Sequence, residues 1–167
     1  MSTGSHAASS GSASVGHPTG PTADADRPVR KAIVLVYASH AAVRAGVISA
    51  LGQRPSPGLE LSFVELSEGD QVVERLDKGG IDLAILDGEA APRGGMGVCR
   101  QLKAELDAPP PVLLLVGRRD DAWLATWSRA EAVVGHPVDA VTIAQSVTRL
   151  LAAQVLAAAE PAAAAAS

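Results

Sequence analysis

At 167 residues the chain is long enough for one hydrophobic core, and with 47% hydrophobic but only 2% aromatic residues it must build that core from Val, Leu and Ile. A formal net charge of -4 without a basic stripe excludes a broad nucleic-acid surface. The single cysteine, Cys99, excludes an intramolecular disulfide or a cysteine metal cluster.

Residues 1–29 are mostly Ser, Gly, Ala, Thr and Pro, with few large apolar side chains to offset the entropy of ordering. They are expected to form a disordered arm in which His6 and His17 are solvated, and the folded unit is expected to span residues 30–157. No stretch has the length and purity of a membrane span, and the first thirty residues lack the apolar segment of a secretion signal. The expectation is a soluble, cytoplasmic protein that reaches a membrane face only through a partner.

Residues 31–36 (KAIVLV) read as a buried strand, followed by a turn over 37–40. Val43, Val47 and Leu51 repeat every four residues and predict a helix from about 41 to 51, stopped by Gly52 and a Pro-Ser-Pro-Gly loop. Leu59, Leu61 and Phe63 alternate with polar residues, which predicts a strand at a sheet edge. Residues 70–78 predict a short helix with Asp70 as cap and Val72, Val73 and Leu76 facing inward. Residues 81–88 (IDLAILDG) then form an apolar run bounded by glycines and ending in a carboxylate. Such a run reads as a parallel strand buried on both faces. It sets Asp87 at the carboxyl edge of the sheet, where ligands and chemistry gather in open α/β folds.

After a loop over 88–95, Met96, Cys99, Leu102 and Leu106 share one helical face, so Cys99 reads as core and not as a nucleophile. Prolines 109–111 break the chain before residues 112–116 (VLLLV), the purest strand. Gly117, Arg118 and Arg119 follow, and Asp120 and Asp121 suit the positive end of a helix running to about Arg129 that carries Trp123 and Trp127. Residues 132–135 predict a last strand, His136-Pro137 a turn, and Asp139 the start of a long helix to about 159 faced by Ile143, Val147, Leu150 and Leu151. Residues 158–167 read as an alanine-rich disordered tail with nothing to bury. Five strands alternating with five helices predict parallel pairing, right-handed crossovers and a three-layer αβα sandwich.

The order of elements, Asp87 ending the third strand, Gly95 eight residues later, the strand PVLLLVG at 111–117 and His136-Pro137 together resemble the receiver domain of bacterial response regulators. The resemblance covers residues 31–156. It implies a CheY-like (flavodoxin-like) five-stranded parallel sheet in strand order 2-1-3-4-5. It also implies that Asp87 stands where the family accepts a phosphoryl group from a histidine kinase, beside an acidic pair holding Mg²⁺, a Ser or Thr ending the fourth strand, and a lysine before a proline. Here the acidic pair falls on Tyr37 and Ala38, the hydroxyl on Val116 and the lysine on His136. The aromatic three residues before that lysine is Val133.

One carboxylate holds Mg²⁺ weakly, Val116 has no hydrogen-bond donor, and a histidine of ordinary pKa is a poor stand-in for a fixed cation. The expectation is a pseudo-receiver, not an enzyme, with no cofactor and no metal. The alternative is a phosphoaccepting response regulator in a two-component phosphorelay that uses Mg²⁺ and Asp87. Three further readings are weaker: a carboxylate pair of Asp87 with Glu89, a metal site of His40, His136 and Asp87, and a hydrolytic triad of Ser39, His136 and Asp87. The triad lacks a nucleophile elbow, and no glycine-rich phosphate loop supports a dinucleotide site.

Trp123 and Trp127 are half of the chain's four aromatics and lie four residues apart, hence on one helical face. Tryptophans are frequent interface anchors, and with Arg118, Arg119 and Arg129 they form an expected partner-binding patch. The competing expectation buries at least one of them in the core. No DNA-binding domain is expected after Leu156. The stretches GGIDLAILDGEA and DDAWLATWSRAEA resemble actinobacterial stand-alone receivers associated with the proton-pumping respiratory NADH dehydrogenase. That likeness implies a protein partner, the peripheral arm of that complex.

Overall fold

A computed structural model of the chain describes residues 28–117 and 123–164. The expected arm up to residue 27, together with residues 118–122 (Arg118, Arg119, Asp120 and Asp121 among them) and the last three residues, lies outside the described residues. The element order is β1 (Arg30–Tyr37), α1 (Ala41–Leu51), β2 (Leu59–Leu66), α2 (Gly69–Asp77), β3 (Leu83–Asp87), α3 (Gly95–Glu105), β4 (Val112–Val116), α4 (Trp123–Ser128), β5 (Ala132–Gly135) and α5 (Ala140–Ala164). The five strands form one parallel sheet in the order β2-β1-β3-β4-β5, so the sheet and its order are as expected.

β3 and β4 are buried at every position, which is why both read as unbroken apolar runs. Alternate side chains along each strand point to opposite faces and feed two separate cores. Val34, Val36, Ile85, Leu113 and Leu115 pack against Val47 and Leu51 of α1 and Ile143, Val147 and Leu151 of α5. Leu35, Tyr37, Leu86, Val112 and Leu114 pack on the other side against Val72 and Leu76 of α2 and Val98, Cys99 and Leu102 of α3. The edge strand β2 buries only Leu59 and Leu61, with Phe63 partly covered.

Several boundaries differ from expectation. Asp70 is not the cap of α2: Glu68 holds that position without a side-chain capping bond, its carboxylate accepting instead from the Gln71 side chain, and Asp70 in the first turn is ion-paired with Arg93. α4 stops at Ser128, because Arg129 adopts φ 64°, the left-handed region that ends a helix. α5 is capped by Asp139, whose Oδ2 accepts from the Thr142 N–H and hydroxyl, both at 2.7 Å. It runs to Ala164 and not to 159, carried into the expected tail by the intrinsic helix preference of alanine. Contrary to the expectation that no stretch is long and apolar enough for a membrane span, α5 passes by length and composition over Ala140–Ala159, although Ile143, Val147, Leu150 and Leu151 are core residues.

The register that matters for the site lies between β3 and α3. A Cβ at Gly95 would stand 2.6 Å from the Asp87 carbonyl oxygen and 2.9 Å from Leu86 Cβ, so only glycine lets the start of α3 approach the end of β3. Gly88 is constrained in the same way: its added Cβ would meet the Leu115 carbonyl oxygen at 2.8 Å. Its N–H donates to that oxygen at 2.8 Å.

Candidate functional site

Asp87 lies at the carboxyl edge of the sheet and is almost fully buried, at 2% exposed. Its Oδ1 accepts the Glu89 N–H at 3.1 Å, a bond across the turn that follows β3. The His136 Nε2 stands 3.6 Å from the same oxygen, held there because the His136 N–H donates to the Val116 carbonyl at 2.8 Å. The expected lysine position therefore does face the aspartate, and it carries an imidazole that is cationic only when protonated.

The positions of the expected acidic pair are filled differently. Tyr37 is fully buried, and the parity of β1 turns its ring into the layer beneath α2 and α3 with Leu35. Its hydroxyl donates to the Arg93 carbonyl at 2.5 Å. Arg93 in turn is bound to Asp70 and Gln101, so a single residue ties the loop after β3 to both flanking helices. Burial, outweighing the nearby Arg93 cation, pushes the Tyr37 phenol above its ordinary pKa, and the Asp87 and Asp70 carboxylates add to the rise.

Ala38 is also fully buried and contributes no side-chain donor atom, while its carbonyl accepts from Arg44 Nη1 at 2.6 Å. Arg44 also pairs with Glu65 at 3.2 Å. The Ser39 Oγ accepts the Ala91 N–H at 3.3 Å and so links the loops after β1 and β3.

Val116, at 2% exposed, ends β4 where a hydroxyl was sought, and Val133 lies partly buried on β5. Glu89 is exposed, with its carboxyl over Gly117, where an added Cβ would meet Oε1 at 3.3 Å. His40 is exposed at the start of α1, and among the described residues no three His, Cys, Asp or Glu side chains gather into a metal-ligating cluster. That contradicts the site imagined from His40, His136 and Asp87. The triad is not assembled either: among the described residues Ser39 hydrogen-bonds to Ala91 and not to His136. As a Mg²⁺ site the donor set does not fit: of the positions that would bring carboxylates to the metal, Asp87 alone has one.

Cys99 is buried, and its thiol donates to the Ser128 carbonyl at 3.3 Å. Burial pushes its pKa up to about 11, the pattern of an inert core thiol.

Trp123 and Trp127 are 64% and 49% exposed, so neither packs into the core as the competing expectation required. Arg100 on α3 lies over the Trp127 ring, 4.7 Å from its centroid. Arg129 is exposed and donates to the Lys103 carbonyl at 3.4 Å. Of the expected patch, Arg118 and Arg119 lie outside the described residues. Sequence reasoning missed Arg93, Arg44 and Arg100. Only Arg100 carried a usable signal, as a cation on α3 one residue after the buried Cys99.

No family model matches the chain. It is 54% identical over 119 residues to an uncharacterized response regulatory protein of Mycobacterium tuberculosis, found in two strains, with 71% of this chain and 90% of that protein covered. The chemotaxis response regulator CheY4 of Vibrio cholerae superposes with a TM-score of 0.58 at 17% identity, covering 72% of this chain and 99% of that one. The receiver domain of Saccharomyces cerevisiae Ssk1, crystallised with the histidine phosphotransfer protein Ypd1, gives 0.64 at 18% identity, covering 74% of this chain and 91% of the other. At these identities the two solved structures speak for the fold alone.

Replacing Tyr37 by Phe removes the donor to Arg93 and is expected to lower stability by about 1 kcal/mol in urea unfolding at neutral pH, with the fold retained. The raised phenol pKa means that the folded chain keeps this proton after the unfolded chain has lost it. The native protein should therefore lose stability as pH rises past the ordinary tyrosine value of 10.0, and Tyr37→Phe should lack that part of the loss. Parallel stability curves across that range would refute the assignment.

Proposed function

The chain belongs to the response regulator receiver family, and we propose that within it this protein works as a phosphorylation-independent protein-binding module. The observation that carries the reading is the neighbourhood of Asp87. The acceptor carboxylate is kept, but the residues around it are Tyr37 and Ala38, buried, and Val116, aliphatic.

Three requirements of phosphoryl transfer at a carboxylate are unmet by these side chains. A hard divalent cation needs several oxygen ligands, and the site offers one carboxylate. An incoming phosphoryl oxygen needs a hydrogen-bond donor from the end of β4, and valine has none. The charge that develops needs a fixed cation, and His136 at 3.6 Å supplies one only in its protonated form.

The second half of the reading rests on what the fold leaves outside. Two tryptophans at 64% and 49% exposure on a six-residue helix are a binding surface in waiting, because large aromatic area left in water is the usual mark of an interface. The occurrence of a receiver domain in complex with a phosphotransfer protein is in keeping with protein recognition by this fold. As partner we propose the peripheral arm of the respiratory NADH dehydrogenase, supported by the likeness of residues 79–90 and 120–132 to actinobacterial receivers associated with that complex. The mycobacterial origin of the relatives agrees with it.

Incubation with acetyl phosphate and Mg²⁺, read by intact mass, should leave the protein unmodified and indistinguishable from Asp87→Asn. A phosphorylated species present in the native chain and absent from Asp87→Asn would establish the phosphorelay alternative. On native gels of detergent-solubilised membranes the protein should co-migrate with NADH dehydrogenase activity, and Trp123→Ala with Trp127→Ala should abolish this. Migration of the native chain apart from that activity would remove the proposed partner.

A further inference from the structure

The two sides of α3 differ in charge balance. Toward α2, Asp70, Glu74, Asp77 and Glu105 line a groove of about 480 Å³ together with Arg93, which pairs with Asp70, while Glu74 pairs with Lys78. Toward α4, Arg100 lies on the Trp127 ring and Arg129 stands at the end of α4. Among the described residues neither arginine is ion-paired with a carboxylate. Glu131, two residues after Arg129, is held by Lys103 at 2.6 Å and by the Val112 N–H at 2.6 Å. The α3–α4 face thus combines exposed indole with unpaired guanidinium on a protein whose net charge is -4.

The stacking of Arg100 on Trp127 matters to what such a face selects. A guanidinium lying on an aromatic ring loses side-chain freedom and still presents its N–H groups at its edge, so it is pre-set to bind a carboxylate in two-point fashion. Indole beside it offers rigid apolar area at small entropic cost. A basic partner would be repelled here. We propose that the α3–α4 face formed by Arg100, Trp123, Trp127 and Arg129 docks an acidic protein segment that bears an apolar anchor side chain. This deepens the binding-module reading and rests on it, since it names the chemistry of the partner that the exposed tryptophans receive.

The chain's only two tryptophans both lie on this face, so their emission reports its occupancy directly. The probes are a synthetic glutamate-rich peptide with one central phenylalanine and its lysine counterpart, titrated into the full-length chain. The glutamate peptide should shift the emission to the blue and saturate, with affinity falling as salt is raised. The lysine peptide should leave the tryptophans unchanged. Arg100→Glu, with its fold checked by circular dichroism, should weaken the glutamate peptide by on the order of tenfold or more. Equal response to both peptides, indifference to Arg100→Glu, no response at all, or a response only to anionic phospholipid vesicles would each overturn the proposal. Two outcomes separate it from the reading beneath it. Binding of the glutamate peptide only after acetyl phosphate treatment would leave the docking face standing and sink phosphorylation independence. Failure to bind with or without acetyl phosphate sinks the docking face alone.

Discussion

Everything near the site depends on how closely α3 can approach the end of β3. The first residue of α3, Gly95, sits against the Asp87 carbonyl, where any side chain would collide, and this contact closes the turn that carries Gly88, Glu89 and Ala90. Because β3 is buried on both faces between β1 and β4, the aspartate is delivered by a strand that cannot shift register without moving apolar side chains into the wrong layer. The scaffold for presenting a carboxylate is therefore intact. Around that carboxylate stand Tyr37, Ala38, Val116 and His136.

Two of these residues also serve the packing. Tyr37 fills the layer under α2 and α3 and bonds the Arg93 carbonyl, while Ala38 is closed over and its carbonyl is held by Arg44. Arg93 and Arg44 then bind Asp70 and Glu65, so the loops around Asp87 are fastened by side chains from α1 and α2. Tyr37 and Ala38 are thus part of the packing, while the tryptophans of α4 stand exposed.

Much of the fold could be read from residue order. The apolar runs ending at Asp87 and Val116 placed both central strands, because strands buried on both faces have no polar alternation to blur them. The four-residue spacing of Trp123 and Trp127 put them on one face, although spacing could not say whether that face looked outward. Direction was the recurring gap. Tyr37 was legible as a replacement for an acid, but its partner at Arg93 is 56 residues away in the chain and had no local signature. Asp70 looked like a cap because a carboxylate in a first turn suits the helix dipole, and a tertiary ion pair with Arg93 claimed it instead. His40, His136 and Asp87 all leave the same edge of the sheet, yet sharing an edge leaves the angle of each side chain open, and no cluster forms among them.

The central claim is that the groups facing Asp87 do not assemble a divalent-cation site. Isothermal calorimetry of Mg²⁺ into the native chain, alongside a Tyr37→Asp, Ala38→Asp double variant shown to be folded, tests it most directly. The account predicts no saturable heat for the native chain at millimolar Mg²⁺ and one saturable site in the variant. One-to-one Mg²⁺ binding by the native chain that disappears in Asp87→Asn would contradict it.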